Sequence, residues 1–333
     1  MLKKVGLVFL LCGFYSLAKA DIDGLLNQLP FSKQEKQQIL QGKLVTTQVK
    51  EIEEHELAVL LAFVVKTTPP TLKQHFIKGT WVDLPEPILT SHKLTSSSII
   101  KDLSQLKFSE SESNEIERFL SVQAGNDLNL SDTEIKQFQL ISQFESNASD
   151  VQKKVEEQLH KVLYNRFQAY TAEGVRNIPP YQREQGEQFY LGKYFQKITG
   201  LIPILKQYYP LFYQTLSQYP HNKPSQLQES FFALKLKVEG RPTFSLMHRM
   251  LLEEGDAFAV ALRQFYVTQS YNGEQGLGLF IPVMQGVLVL GLFRTSSDEV
   301  AGFGSGVKHS VGRRLLAYNL TQFYEQIQKL ITN

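Results

Sequence analysis

The chain has 333 residues, 42% of them hydrophobic, and its 35 Lys and Arg nearly balance its 33 Asp and Glu, for a formal net charge of +2. This balance argues against nucleic acid as the main partner, because binding a polyanion takes a clear cationic surplus. The apolar content, which includes 22 phenylalanines, is ample for a sizeable core in one large domain.

The first twenty residues have the pattern of a secretory signal peptide. Lys3 and Lys4 form a basic start, residues 5–15 are apolar, and Ala18-Lys19-Ala20 is typical of a cleavage site. The apolar run is shorter than the roughly 20 residues that a stable membrane anchor needs. We therefore expect cleavage after Ala20, with an uncleaved anchor as the alternative.

Cleavage would leave 313 residues without cysteine, because the only one, Cys12, lies in the removed segment. Leu11, which precedes it, is not the small residue that a lipoprotein site requires. A chain without disulfides or thiolates fits a bacterial periplasmic or secreted protein. The lost lysines lower the formal charge to −1. No later segment has the apolar length of a membrane span, so a soluble mature protein is expected.

The first part of the cleaved chain predicts helices around a β-hairpin. Residues 22–41 predict a helix that Pro30 and Ser32 divide in two. Two strands, at 44–52 and 57–65, predict a hairpin around an acidic turn. A short helix at 72–77 and an extended stretch through Trp81 and the prolines at 85 and 87 come next. Residues 88–110 fit either a strand pair or a short helix.

Residues 110–220 change character and predict mostly helix. Ser131 and Glu134 have the spacing of a capping box, and Asp150 is expected to cap the following helix. Apolar residues then recur at helical spacing until Pro179-Pro180. Shorter helices rich in tyrosine and phenylalanine are predicted at 189–207 and 211–217.

The C-terminal third predicts an antiparallel sheet. Strand-like segments cover 232–238 and 244–252, and the segments 258–267 and 283–293 are apolar on both faces. Such runs indicate a sheet covered on both sides. One cover is expected to be the terminal helix, and the other is either the helical middle segment or a ligand.

The terminal helix, at 307–331, has the clearest periodicity of the chain. One apolar stripe falls at i, i+4, i+7, i+11 and i+14, namely Leu316, Leu320, Phe323, Ile327 and Leu330. Val311, Leu315 and Tyr318 are expected to widen this buried stripe. A glycine-rich stretch at 301–306 leads into the helix.

The order hairpin, helices, antiparallel strands and long C-terminal helix resembles the START-like, or helix-grip, superfamily. The hairpin at 45–66, the strands at 231–293 and the helix at 307–331 carry the resemblance, and the run from Glu239 to His309 is also similar to a group of secreted bacterial proteins of unassigned function. The resemblance implies a single α+β domain over 21–333. Its curved antiparallel sheet would pack on the C-terminal helix, with a large helical insertion at 110–220. It also implies an apolar ligand, such as a lipid or sterol, between sheet and terminal helix.

Two metal-like motifs lack a residue that their chemistry needs. His55 and Glu56 begin a zinc-protease pattern, but Val59 stands where the second histidine belongs. A calcium-loop pattern starts at Asp127, but Asp132 occupies the glycine position. We therefore predict no metal site and interpret these segments as a polar turn and a helix cap.

The glycine-rich stretch before the terminal helix lacks the contiguous Gly-Lys-Ser of a nucleotide loop, so no nucleotide cofactor is predicted. Its backbone N–H groups and the positive end of the helix dipole still suit an anionic head. Lys308 and His309 are the candidate contacts there, with a simple tight turn and solvated cations as the alternative.

Three arginines lie in otherwise apolar strands, at Arg249, Arg263 and Arg294, near His248 and Tyr266. Burying a guanidinium without a partner is costly. These side chains are therefore expected either to pair with internal acids such as Glu239, Asp298 and Glu299, or to point into a cavity and hold a polar head.

These features predict a periplasmic or secreted protein that binds a lipid or another apolar ligand between sheet and terminal helix. A second hypothesis is an envelope module that binds a protein through an exposed apolar patch at 185–220. A third is a hydrolase with His248 or His309 as acid and base, although no catalytic residue is assigned. The aromatic-rich helical segment at 208–219 is interpreted as core or a partner surface, with a sugar-stacking platform or peripheral membrane contact as the alternatives.

Overall fold

The structure is a computed structural model that describes residues 22–332 except 79–87, 96, 126, 145–147 and 303. The predicted signal peptide and the extended stretch through Trp81 lie outside the described residues. The side chains of Phe323, Ile327 and Leu330, which the terminal stripe includes, also lie outside the description.

An eight-stranded antiparallel sheet forms the centre of the molecule, with strand order β1-β2-β10-β9-β8-β7-β6-β3. Its strands are β1 (Val45–Gln48), β2 (Glu56–Val65), β3 (Ile88–Leu94), β6 (Gln228–Val238), β7 (Arg241–Glu254), β8 (Ala257–Val267), β9 (Gly273–Val283) and β10 (Gly286–Ser296). Strands β4 (Tyr181–Gln182) and β5 (Gln188–Phe189) form a separate ribbon. The α+β class and the predicted β1–β2 hairpin are confirmed.

Eleven helices are formed by the described residues. They are α1 (Ile22–Asn27), α2 (Lys33–Leu40), α3 (Pro69–Lys78), α4 (Ile99–Leu103), α5 (Ser113–Leu120), α6 (Asp132–Phe144), α7 (Ala148–Glu173), α8 (Leu191–Gly200), α9 (Pro203–Tyr208), α10 (Pro210–Gln218) and α11 (Ser305–Thr332). The break between α1 and α2 is confirmed, and a capping box between Ser32 and Glu35 starts α2.

The helical middle segment follows its predicted signals with two local differences. The capping box of Ser131 and Glu134 forms, because the Ser131 N–H donates to the Glu134 carboxylate at 2.7 Å. Helix α7 begins at Ala148, so Asp150 lies in its first turn rather than at its cap. Prolines at 203 and 210 divide the last predicted helices into α8, α9 and α10, since proline fits the first turn of a helix but not its interior.

Strand β9 was not predicted, although it pairs with β8 and β10 along its length. Its sequence contains Gly273, Gly276, Gly278 and Pro282, residue types that are depleted in strands. The structure gives the reason for Gly276: a Cβ there would lie 2.8 Å from the Phe293 ring of β10. The glycine makes room for a neighbouring aromatic side chain.

Both faces of the sheet are covered, as the apolar strands indicate. One face, here called the helical-side face, packs against α1, α2 and α4–α10 through residues such as Leu60, Leu246 and Leu290. The opposite face, the terminal-helix face, packs against α3 and α11 through residues such as Val59 and Phe258. The second cover is thus the helical middle segment.

Helix α11 lies on the sheet as expected, but part of its predicted inner stripe faces outward. Leu320 is buried, whereas Val311, Leu315 and Tyr318 are 59%, 59% and 62% exposed. The expectation that these three widen the buried stripe is wrong. His309, which is buried against residues of the β1–β2 turn, sets the rotation of the helix instead.

The contact between α8 and the turn at 174–177 leads to a stability prediction. A Cβ on Gly192 would lie 1.8 Å from the Val175 carbonyl oxygen, so Gly192→Ala should lower the free energy of unfolding by about 2 to 3 kcal/mol. Gly200→Ala in the same helix meets nothing within 4 Å and should be neutral or stabilise by up to about 1 kcal/mol. Urea denaturation of both variants checks this, and equal effects would contradict the packing.

Candidate functional site

The three strand arginines do not converge on one site. Arg263 and Arg294 point to the helical-side face, where Arg263 approaches Leu216 and Arg294 approaches Glu56. Arg249 donates to the Phe76 carbonyl oxygen of α3 at 2.6 Å, on the terminal-helix face. Alternate residues of a strand point to opposite faces of the sheet. The face that each arginine reaches therefore depends on its position in its own strand, and a shared location in the sheet does not imply a shared site.

Arg263 is fully buried, and its own hydrogen-bond partners are neutral groups. Its Nε donates to Gln275 Oε1 at 2.8 Å, and its Nη1 lies 3.5 Å from the Tyr170 hydroxyl oxygen. Its guanidinium also lies 5.2 Å from the centre of the Phe195 ring. Within the described ranges no carboxylate forms an ion pair with it. Arg263 therefore holds helices α7 and α8 on the sheet.

His248 belongs to the same buried network. Its Nδ1 lies 2.9 Å from the Tyr170 hydroxyl, and its Nε2 lies 3.2 Å from Glu229 Oε2. Burial lowers the pKa of His248 to about 4, and the Glu229 carboxylate opposes that shift. The imidazole is therefore neutral at pH 7. Its position inside the core gives no access to a substrate.

Tyr266 packs against a buried ion pair between two helices. The Arg166 guanidinium lies 4.3 Å from the centre of the Tyr266 ring and makes two hydrogen bonds to the Glu134 carboxylate, at 2.9 and 2.5 Å. Burial raises the pKa of Tyr266 well above its usual value. These contacts join α6 and α7 to β8.

Arg294 forms a buried ion pair with Glu56, the first residue of β2. The Arg294 Nη1 lies 2.7 Å from Glu56 Oε1, and its Nη2 donates to the Lys50 carbonyl oxygen at 3.2 Å. Tyr194 of α8 donates to the same carboxylate at 3.1 Å. Burial raises the pKa of Tyr194, so its phenol remains a donor. The predicted partners Glu239, Asp298 and Glu299 are wrong for Arg294.

The rest of the acidic turn at 51–56 binds elements from across the chain. Glu51 accepts hydrogen bonds from His309 Nδ1 and Arg313 Nη1, each at 2.9 Å. Glu54 accepts from the Gly302 N–H at 3.0 Å, and Glu53 pairs with Lys197. This turn, termed the acidic turn below, therefore fixes α8, α11 and β10 relative to β2.

His309 has both ring nitrogens engaged, because Nε2 lies 2.7 Å from the Glu54 carbonyl oxygen. Lys308 donates to the Ala301 carbonyl oxygen at 2.9 Å. These contacts tie the start of α11 to the acidic turn, and His309, Glu51 and Arg313 also line an open pocket of about 510 Å³.

An apolar cavity of about 460 Å³ lies on the helical-side face. Its floor consists of five leucines from three adjacent strands, which are Leu60, Leu277, Leu279, Leu290 and Leu292. In the register, Leu290 lies opposite Leu279 and Leu292 opposite Leu277. The wall includes Ile202 and Ile204 of the α8–α9 region, and Val49 and Ile52 of the β1–β2 turn.

One end of this cavity is polar. Arg294 follows Leu290 and Leu292 along the same face of β10, so the floor ends at its ion pair with Glu56. The exposed side chains of Gln28, Gln48 and Lys50 lie at the rim, with Leu201, which is 45% exposed. Among the predicted site residues, Arg294 alone lines this cavity.

His55 is a residue whose environment the sequence did not indicate. Its Nδ1 lies 3.0 Å from Asp298 Oδ1, and the interaction raises the pKa of His55. Arg183 also binds Asp298, at 2.9 Å, and all three line a polar pocket of about 470 Å³. His55 and Asp298 are 243 residues apart, and no local motif connects them.

Comparisons with protein-family models, curated proteins and solved structures find no match. Outside the gaps given above, no three His, Cys, Asp or Glu side chains are grouped closely enough to bind a metal ion. The helices of that same part of the chain include none with the length and apolar character of a membrane span.

The buried ion pair leads to a second prediction. Glu56→Gln should lower the free energy of unfolding by about 3 kcal/mol, because it leaves the buried Arg294 without a carboxylate. Glu53→Gln, whose partner Lys197 is 59% exposed, should cost less than about 1 kcal/mol. Chemical denaturation distinguishes the two, and comparable losses would contradict the role of the pair.

The neutral His248 leads to a third prediction. Because its pKa is lowered from 6.5 to about 4 on folding, the unfolded chain binds the proton first as pH falls below 6.5, and stability is lost. The loss between pH 6.5 and 4.5 should be about 2 to 3 kcal/mol. This loss of stability should be smaller in His248→Gln, as measured by chemical denaturation of both proteins at pH 6.5 and at pH 4.5. An identical pH dependence in both proteins would exclude a buried neutral histidine.

Proposed function

We propose that this protein is a periplasmic or secreted binding protein for an apolar small molecule or a single-chain lipid. The observation that carries the proposal is the leucine-floored cavity of about 460 Å³. Ligand sites are typically partly enclosed apolar clefts of roughly 300 to 1,000 Å³ with a few polar groups at one end. The signal-like first twenty residues support the proposed location.

The proposed ligand lies on the opposite side of the sheet from the one that the START-like resemblance implies. The resemblance to START-like proteins implies a ligand between sheet and terminal helix, whereas this cavity lies under the helical middle segment. The sheet order and the terminal helix support a START-like architecture, which remains part of the proposal. On the terminal-helix face, aromatic side chains such as Phe258 and Phe280 stack with ring centres 4.2 Å apart.

The polar end of the ligand is expected at the rim. Arg294 is already balanced by Glu56, so it adds hydrogen-bonding character to the cavity end with little net charge. Lys50 is exposed at the rim and can meet a carboxylate without leaving water. These positions favour an apolar body over the leucine floor with an acidic or neutral head beside Lys50.

The protein-interaction hypothesis has less support. It requires a large exposed apolar patch at 185–220, where the described large apolar residues with high exposure are Tyr190 and Leu201. Tyr209 and Phe212 are fully buried, and Tyr219 is nearly so. This aromatic segment is core.

Binding of a dansyl-labelled fatty acid tests the proposed function. The wild-type protein should bind it, and Leu201→Asp should weaken binding about 10-fold or more, because it replaces an apolar rim contact with a charge. Leu140→Asp is the matched control, since Leu140 is similarly exposed at 51% on α6 and does not line the cavity. Failure of the wild type to bind, or equal binding by Leu201→Asp, would overturn the proposal. Melting temperatures verify that both variants fold.

A further inference from the structure

Helix α11 presents apolar side chains to solvent on the side opposite the sheet. Val307, Val311, Leu315 and Tyr318 are 72%, 59%, 59% and 62% exposed. Their spacing of i, i+4, i+8 and i+11 places them in one row about 16 Å long. This row is termed the outer stripe.

The orientation of α11 is fixed by contacts on its other side. His309 and Arg313 bond to Glu51, and a Cβ on Gly312 would already lie 2.8 Å from the Leu57 side chain. Leu320 is buried in the core of the terminal-helix face. The outer stripe therefore cannot turn inward without breaking these contacts.

The charges that α11 itself places beside the outer stripe are positive, while Glu51, Glu53 and Glu54 lie near its first residues, Ser305 and Gly306. Lys308 and Arg314 are exposed on either side of it. The sequence from Ser305 to Tyr324 contains no acidic residue, and Glu325 is the first in the helix. An apolar row flanked by cations is the composition of a helix that lies in the interface of an anionic membrane. Long cationic side chains can keep their charge among headgroups while the row enters the acyl boundary.

The size of the outer stripe favours a lipid surface over a second copy of the chain. A stable dimer needs roughly 800 Å² and 20 to 30 residues from each partner. Four apolar side chains on one helix fall short of that. They do suffice for reversible contact with a bilayer when cations add electrostatic attraction.

We propose that the outer stripe of α11, with Lys308 and Arg314, docks this protein on anionic lipid membranes. The helix would lie flat in the interface, and the sheet behind it would stay in water. This surface is distinct from the leucine-floored cavity, so either proposal can fail without the other.

Flotation with lipid vesicles tests the docking. The full chain should float with vesicles of phosphatidylcholine and phosphatidylglycerol in equal amounts, and much less with phosphatidylcholine alone. Raising the salt concentration should weaken binding, as should Lys308→Glu with Arg314→Glu, by about 10-fold or more. Val311→Ser with Leu315→Ser should also reduce binding at least about 10-fold.

The matched control is Ile100→Ser with Leu140→Ser, which removes two apolar side chains that are 70% and 51% exposed on other helices. This control should float like the wild type, and all variants should keep its melting temperature. Absence of flotation by the wild type would overturn the proposal, as would equal flotation of the Val311/Leu315 variant. A dimer in sedimentation experiments that the same variant dissociates, without vesicle binding, would assign the stripe to a second copy instead.

Discussion

The buried ion pair between Glu56 and Arg294 links the centre of the sheet to the helices that cover it. A carboxylate with no solvent exposure must have a partner, and Glu56 has three: the guanidinium of β10, the Tyr194 hydroxyl of α8 and the Ile52 N–H. The same short turn holds α11 through Glu51. The acidic turn thus joins the sheet to both covering layers, and Arg294, the partner of Glu56, lies at the polar end of the leucine-floored cavity.

This arrangement explains why the strand arginines look like ligand contacts in the sequence. Cations in apolar strands need partners, and the sequence correctly indicated that need. The partners come from distant positions: Arg294 meets Glu56, 238 residues away, and Arg263 meets Gln275 across a strand pair. Which acid satisfies which arginine depends on the sheet register, and no local pattern encodes that register.

Other parts of the fold follow from local signals to differing degrees. The helix break at Ser32, the capping box of Ser131 and the hairpin at 45–65 were predicted because their signals are short-range. Strand β9 was missed because glycine has a low strand propensity. Its glycines make room for neighbouring aromatic rings, which the sequence does not reveal. The position of helix α11 in the chain was predicted correctly, but three of the residues expected on its buried side face solvent. It has two apolar stripes, and the His309 contacts with the acidic turn select between them.

The cavity arises from the same geometry. Helix α8 ends at Gly200, and α9 restarts at Pro203, so the chain bends away over the leucine floor. The turn between β1 and β2 closes the other side, anchored by Glu56. The cavity therefore has an apolar floor that lies between a helix break and a turn held by Glu56.

Photo-crosslinking with a diazirine fatty acid, followed by peptide mapping, shows directly which face of the sheet holds the ligand. We expect labels on the α8–α9 junction around Leu201 and on the leucines of β9 and β10 that form the cavity floor. Labels confined to α3 and to the inner side of α11 would place the ligand on the terminal-helix face and contradict binding in the leucine-floored cavity.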